Sequence, residues 1–410
     1  MASGDTEDTA FLVTNGVIPL FADYIGHQSL EVSVQAIWGI SNIAGENSQY
    51  RDLVLGLHSY DKVITRYYNS DGNISNPALT ISHGRTLSFF FLNITRGKPV
   101  IQYSKVSGII FYLRKLLERF FVDNEVKMDV LWSFAYVTET EEGMEEFATL
   151  TDFLPMMSGL LALGVDPITS PTLRILGNLS SSNDEHTQLL IDYNLLPIIL
   201  NLTDHKKKAI RKEALFLLSN VAAGTLDQVQ ELLKYEDLFL LLKKILSGDE
   251  MSVCKEALWI VGNITVKPEF LTTVISKGLV LDFVKAIINY EEMANEKRLR
   301  AFFLETLSPV IDYFCLGASE LDVSQYLEEI AQYLSFIGVV INHCTDKEIP
   351  PWKKNEEKLK AFLENAGLVG SSGVPQLNQD LDNLNLNDQN NGDPNAGLGS
   401  SGEQPTQNVP

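Results

Sequence analysis

The chain has 410 residues, 45% of them hydrophobic, and a formal net charge of −21. This length exceeds what one compact core usually serves, so we expect several domains or a repeat solenoid. The acidic balance disfavours nucleic acid and anionic membranes as partners and favours basic ones.

Six helical segments repeat along the chain, and each carries one polar residue on an otherwise apolar face. They are AIWGISNIAG (36–45), SFFFLNITRG (88–97), VLWSFAYVTE (130–139), TLRILGNLSS (172–181), ALFLLSNVAA (214–223) and ALWIVGNITV (257–266). The polar residues are Asn42, Asn93, Tyr136, Asn178, Asn220 and Asn263, separated by 51, 43, 42, 42 and 43 residues. A period in the low forties is typical of a helical solenoid of the armadillo or HEAT type.

A second apolar helix is predicted before each of these segments, and a short helix before that. Pro19, Pro155 and Pro197 fall where the first turn of a helix tolerates a residue without an N–H. Stacking of neighbouring repeats would then supply the core. The sequence therefore predicts an all-α, right-handed armadillo-repeat superhelical solenoid.

Three departures from the repeat, and a change of composition from about residue 369, mark the organisation of the chain. The 51-residue step holds an insertion at 67–84 that is rich in turn formers and predicts an exposed loop. Residues 300–314 resemble another third helix, but Pro309 falls where Asn would stand and should distort it. The chain opens inside a repeat, so we expect an incomplete first repeat. We predict a solenoid over 1–320, a diverged helical cap over 321–368 and a disordered Asn/Gln/Asp-rich tail over 369–410.

An aromatic residue stands one helical turn before most of the repeated polar residues. Trp38 precedes Asn42 in this way, and Trp259 precedes Asn263. Asn amides can clamp the main chain of an extended peptide, and aromatic faces can hold Lys or Arg stems. The alternative for any one pair is a core aromatic with a structural Asn ladder. Recurrence at one phase of every repeat favours binding.

Carboxylates lie one turn from these pairs. Asp129, Glu213 and Glu256 precede an aromatic, and Glu46 follows Asn42. They would neutralise basic side chains in the aromatic slots. The alternative is a solvated acidic helix face.

The motifs WGISNIAGENSQYRDLV, FFFLNITRGKP, DVLWSFAY, SPTLRILGN and KEALW…N resemble importin α, the armadillo adaptor that reads nuclear localisation signals. The resemblance covers residues 2–310. It includes an irregularity in the middle of the series of aromatic–Asn pairs, where Tyr136 replaces Asn and Arg174 replaces Trp. In the family this break separates a major binding groove from a minor one.

The resemblance implies two sets of peptide-binding residues. For the major groove these are Gly4, Thr9, Trp38, Asn42, Glu46, Phe89, Asn93, Asp129, Trp132 and Tyr136. For the minor groove they are Arg174, Asn178, Thr187, Glu213, Phe216, Asn220, Glu256, Trp259 and Asn263. Phe89 and Phe216 stand where the family has Trp, which should weaken those slots because Phe attracts cations less.

The resemblance implies a nuclear import adaptor that binds Lys/Arg-rich cargo peptides in cytoplasm and nucleus. It also implies importin β and an export receptor as partners. The stretch before Arg51 contains no Lys or Arg, so it cannot replace the basic segment with which the family recruits importin β. We therefore expect a truncated form that binds cargo without recruiting importin β itself.

No enzyme constellation, cofactor motif or metal-ligand spacing occurs among the six His and three Cys residues. The three Cys residues form no paired pattern, and the acidic, polar first residues do not resemble a signal peptide. Both observations indicate a reducing intracellular compartment. No apolar run reaches the roughly 18 residues of a membrane span. The alternative function is an armadillo scaffold for protein–protein interaction unrelated to nuclear import. Catenin-type scaffolds of that kind present a basic groove to acidic partners, which the charge of this chain disfavours.

Overall fold

Helices joined by short turns make up the computed structural model, which describes residues 5–74, 76–150, 153–316 and 327–365. The first four repeats contain α1 (Thr6–Thr14), α2 (Val17–Tyr24), α3 (Leu30–Glu46), α4 (Ser48–Gly56), α5 (Ser59–Tyr67), α6 (Ile81–Thr95), a 3₁₀ helix (Tyr103–Lys105), α7 (Ile109–Arg119), α8 (Asn124–Val137), α9 (Glu141–Ala148), α10 (Leu154–Ala162) and α11 (Asp166–Ser180). The next three contain α12 (Asp184–Asp192), α13 (Leu196–Leu202), α14 (Lys208–Ala223), α15 (Leu226–Leu233), α16 (Glu236–Gly248), α17 (Met251–Thr265), α18 (Pro268–Ser276), α19 (Leu279–Asn289), a 3₁₀ helix (Glu291–Asn295) and α20 (Lys297–Leu316). The cap contains α21 (Leu327–Asn342) and α22 (Ile349–Asn365).

In five repeats, the turn between the first and second helix contains one residue with a left-handed backbone. Gly16, Gly108 and Gly278 take this conformation with φ of 74°, 73° and 70°. Glycine adopts it without a Cβ clash. His58 and Asn194 occupy the same turn in two other repeats, with φ of 55° and 52°. These side chains accept the conformation more readily than most.

The third helices pack against one another in chain order, α3 on α6, α6 on α8, α8 on α11, α11 on α14 and α14 on α17. Each of these helices buries an apolar face, as Ile37 and Ile40 do in α3. Side-chain caps fix where several of them begin, because Ser29 and Asp123 accept hydrogen bonds from the first turns of α3 and α8. The predicted all-α repeat solenoid is confirmed.

Two local expectations differ from the structure. The first repeat is not short of a helix, because α1, α2 and α3 supply the same three elements as later repeats. Within the insertion only the described residues 68–74 and 76–80 lie outside helices, since α6 already begins at Ile81. Tyr68 and Leu79 are buried, so both ends of the loop are held by the fold rather than exposed.

The described residues divide into two compact units after Val310. The second unit contains the end of α20, α21 and α22, where Phe336 packs edge-on against Trp352 at a ring-centroid distance of 5.8 Å. The helices predicted over 321–368 are therefore present over 327–365. The predicted boundary at residue 320 and the tail at 369–410 lie outside the described residues. No described helix is long and apolar enough to cross a membrane.

Candidate peptide-binding surface

The aromatic and polar residues of the repeats lie on the third helices, as predicted. We define the first row as the predicted residues on α3, α6 and α8, and the second row as those on α11, α14 and α17. Trp38 in the first row is 40% exposed, and its neighbour Asn42 is half-buried. Half-buried residues at the other aromatic positions are Phe89, Trp132, Phe216 and Trp259. Both rows therefore reach the surface, because none of these rings is wholly enclosed by the core.

The asparagines form two different kinds of hydrogen bond. In the first row, the Nδ2 groups of Asn42 and Asn93 donate to the carbonyls of Trp38 and Phe89, one turn back in the same helix. Those bonds are local and leave the neighbouring repeat untouched. Each of these first-row amides is therefore bonded within its own helix.

In the second row the asparagines reach across to the preceding third helix. Nδ2 of Asn178 donates to the carbonyl of Ala135 at 2.9 Å, and that of Asn263 donates to the carbonyl of Ser219 at 2.9 Å. Asn220 makes a weaker contact of the same kind with Gly177, at 3.5 Å. Each acceptor comes just before the equivalent polar position of the preceding repeat. These asparagines are thus inter-repeat ties, and each bond is donated by the amide nitrogen rather than accepted by the amide oxygen.

Four predicted site residues are buried by the chain itself. Thr9, Asn93, Asp129 and Thr187 are at most 4% exposed. The hydroxyl of Thr187 donates to the carbonyl of Ser180 at 2.9 Å. Because their side chains do not face solvent, the binding roles of these four stay predictions. Gly4 lies outside the described residues.

Asp129 is the most perturbed carboxyl of the surface. Burial raises the pKa of Asp129 to about 6, while a hydrogen bond from the Ser88 hydroxyl at 2.9 Å opposes that rise. The nearby carboxylates of Glu125 and Asp123 raise it further. Asp129 is therefore partly protonated near pH 6, so its negative charge is not fully available to a cation under mildly acidic conditions.

The exposed end of the first row is acidic. Glu46 at the end of α3 is exposed and accepts a hydrogen bond from the hydroxyl of Thr6 at 2.7 Å. The partner of Glu46 among the described residues is thus a neutral hydroxyl, and the carboxylate charge remains available to bind a basic ligand. Trp132 and Tyr136 close the row with rings stacked at 5.8 Å and an interplanar angle of 26°.

The carboxylates of the second row are already paired with cations of the chain. Arg174 contacts Glu213 at 2.5 Å, and Lys212 contacts Glu256 at 3.8 Å. Burial raises the pKa of both carboxyls, and the nearby cations oppose that rise. The position at which Arg174 replaces the aromatic is therefore one half of an ion pair.

Sequence reasoning missed the residues that follow Trp259 in the next repeat. Phe302 stands 43 residues after Trp259, and their ring centroids are 3.9 Å apart. Thr306 takes the place of Asn, because its hydroxyl donates to the carbonyl of Phe302 at 2.9 Å as Asn42 does to Trp38. The prediction that Pro309 stands at the Asn position was wrong. Helix α20 continues past Pro309 to Leu316. The 43-residue step itself could have identified Phe302 and Thr306.

Arg96, Lys212 and Arg298 were also missed, because a cation beside an aromatic ladder carries no periodic signal. Arg96 donates to the carbonyl of Gly45 at 2.6 Å. The Oδ1 atom of Asn93 approaches the same glycine and finds no hydrogen-bond partner among the described residues. The described residues hold no cluster of His, Cys, Asp and Glu able to bind a metal ion.

These features define an armadillo-repeat solenoid with a ladder of aromatic, amide and carboxylate groups. Solved structures agree on the fold. An engineered protein superimposes with a TM-score of 0.64 at 17% identity, over 88% of this chain and 82% of that chain. The designed armadillo repeat protein YIII(Dq)4CqI superimposes with a TM-score of 0.52 at 17% identity, over 60% and 99%.

The sequence relatives are importin α subunits. Importin subunit alpha-2 of Caenorhabditis elegans is 34% identical over 222 residues, which are 53% of this chain and 40% of that protein. Importin subunit alpha-1b of Oryza sativa subsp. japonica is 29% identical over 215 residues, 52% of this chain and 38% of that protein. The matched part thus spans less than half the length of these relatives. No protein-family model matches the chain.

Proposed function

We propose that this chain is a binding protein that holds an extended, Lys/Arg-rich peptide along its third helices. The observation that carries the proposal is the first row, where an exposed aromatic face, an amide and an unpaired carboxylate follow one another on α3. The net charge of −21 favours the approach of such a peptide over long range.

Each group of the first row has a defined task in this proposal. The indole of Trp38, 40% exposed, takes the methylene stem of a Lys or Arg and attracts its charge. The amide of Asn42 uses one hydrogen in the bond to the Trp38 carbonyl, so the second hydrogen and the oxygen can meet a peptide bond. Glu46 supplies the charge partner. Only the aromatic–Asn pair recurs at Phe89, because Asn93 is buried and Gly97 stands where α3 has Glu46.

The biological role we propose is that of a nuclear import adaptor, shuttling between cytoplasm and nucleus. The support is the similarity to proteins named importin subunit alpha over about half of the chain. The ligand would then be a nuclear localisation signal of a cargo protein. An export receptor is a further partner in the same proposal, whereas residues 1–50 do not supply a basic segment for importin β. We propose no enzymatic activity.

The test is a fluorescence-anisotropy titration of the full chain with a labelled Lys-rich peptide, beside its Lys→Ala version and an acidic peptide. We expect binding of the Lys-rich peptide alone, weaker at high salt because the contacts are charged and solvent-exposed. Trp38→Ala should reduce the affinity by about tenfold, as removal of a main anchor does.

The matched control is Phe121→Ala. Phe121 is 41% exposed and has a cation of its own, Lys127, 4.9 Å above the ring, but it lies at the α7–α8 turn away from the row. This variant should bind as the unchanged chain does. Equal binding of the Lys-rich and Lys→Ala peptides would refute the proposal. Preference for the acidic peptide would instead indicate an armadillo scaffold unrelated to nuclear import.

A further inference from the structure

The Trp259 slot differs from the Trp38 slot because the chain itself fills it. The guanidinium carbon of Arg298 lies 5.3 Å from the centroid of the Trp259 ring. The ring of Phe302, one turn further along α20, lies 3.9 Å from Trp259 at an interplanar angle of 36°. A cation within about 6 Å over an indole is the arrangement that a bound Lys or Arg would adopt. Arg298 therefore occupies the place of a ligand side chain.

The close approach of Phe302 is built into α17. Gly262, next to Asn263, faces the Phe302 ring, and a Cβ at this glycine would lie 2.0 Å from the Cζ atom of Phe302. Phe302 is 7% exposed, so its position is set by packing. Because Arg298 and Phe302 share one face of α20, the packed Phe302 places Arg298 next to Trp259.

The two carboxylates of the second row have resident cations too. Glu213 is paired with Arg174 and Glu256 with Lys212. In the first row no described cation contacts Trp38 or Glu46, and Arg96 donates to a backbone carbonyl instead. A basic peptide would thus enter the first row without displacement, but it would have to displace Arg298 from Trp259 in the second.

We propose that Arg298 is a specificity-determining residue that closes the second row, so that the chain selects peptides with a single Lys/Arg cluster bound in the first row. The proposal rests on the proposed function, which supplies the basic ligand. Arg298 competes with the ligand because both need the same indole face. The apparent dissociation constant then equals the intrinsic constant divided by the fraction of molecules in which the slot is open.

The experiment compares Arg298→Ala with Lys297→Ala in the full chain carrying Trp38→Ala, which weakens the first row and so raises the share of binding that the second row contributes. Lys297 is the neighbouring exposed residue with the same charge, so both variants gain equally in long-range attraction. The probe is a labelled peptide with one Lys/Arg cluster. We expect Arg298→Ala to bind about threefold more tightly than Lys297→Ala, in keeping with a surface cation–π contact.

A second readout needs no peptide. Acrylamide quenching of tryptophan fluorescence in the same two variants reports whether Arg298 shields Trp259, since Trp352 is 1% exposed and contributes little and the half-buried Trp132 is common to both variants. We expect stronger quenching in Arg298→Ala than in Lys297→Ala. Equal quenching of the two variants would overturn the proposal regardless of their peptide affinities. Equal peptide affinities of the two variants would also overturn it. Absence of peptide binding in the chain with Trp38 intact would refute the proposed function, and the quenching arm would still decide whether Arg298 covers Trp259.

Discussion

Replacement of Asp129 by Asn should stabilise the protein at neutral pH and have a smaller effect in acid. Asp129 is 4% exposed on α8, and the Ser88 hydroxyl donates to its Oδ2 atom at 2.9 Å. Burial raises the pKa of Asp129 from 3.8 to about 6. An acid with a raised pKa binds its proton more tightly in the folded state than in the unfolded state. Ionisation of Asp129 therefore lowers the free energy of unfolding. This loss is absent below pH 3.8, grows between pH 3.8 and about pH 6, and is complete above that pH.

The magnitude follows from that window. At about 1.36 kcal/mol per pK unit, a rise from 3.8 to about 6 corresponds to a penalty of about 3 kcal/mol at most. Asn mimics the neutral acid and keeps an oxygen for Ser88, but its buried amide hydrogens lose about 1 kcal/mol for want of partners. The net gain in the free energy of unfolding should be about 2 kcal/mol at pH 7.5. It should be smaller by about 1 kcal/mol at pH 5, because the wild-type carboxyl is then mostly protonated.

Urea unfolding followed by circular dichroism at pH 5 and pH 7.5 measures this difference, provided that the denaturant slope is unchanged by the substitution. Glu305→Gln removes the same charge from an exposed site on α20 and should leave the unfolding midpoint unchanged at both pH values. The reasoning is refuted if Asp129→Asn shifts the midpoint equally at the two pH values, or if it destabilises the protein at pH 7.5.

Three further predictions concern the third helices. Asn263→Ala should destabilise the protein by about 1 kcal/mol in urea unfolding, because it breaks the hydrogen bond to the Ser219 carbonyl of the preceding repeat. Asn42→Ala should be nearly neutral, since the bond it removes lies within one helix, and equal losses in the two variants would contradict this reasoning. Gly262→Ala should cost about 2 kcal/mol through its clash with Phe302, while Gly159→Ala, where nothing lies within 4 Å of the new Cβ, should stabilise by about 0.5 kcal/mol. Phe89→Trp should tighten binding of the Lys-rich peptide about twofold in anisotropy titrations, because indole attracts a cation more strongly than phenyl; unchanged affinity would exclude this ring as a slot.

Part of the candidate surface could be predicted from the sequence because it depends on the position of a residue along one helix. The spacing of Trp38 and Asn42 places them on one face of α3, and the same holds for Trp259 and Asn263 on α17. The partner of each amide could not be predicted in this way. Asn42 and Asn263 share the same motif, yet one bonds its own helix and the other the preceding repeat. That choice depends on the separation and rotation of neighbouring helices.

The sequence by itself determined the fold class and the order of helices, because a period in the low forties and apolar faces require stacked helical repeats. Only the tertiary structure decided which ladder residues face solvent. Asn93 and Asp129 match the repeat pattern but are buried, because α3, α6 and α8 pack closely there. The structure also decided which slots are filled, since Arg298 reaches Trp259 only through the packing of Phe302 against Gly262. Periodicity describes one helix at a time, whereas burial and charge pairing arise between helices.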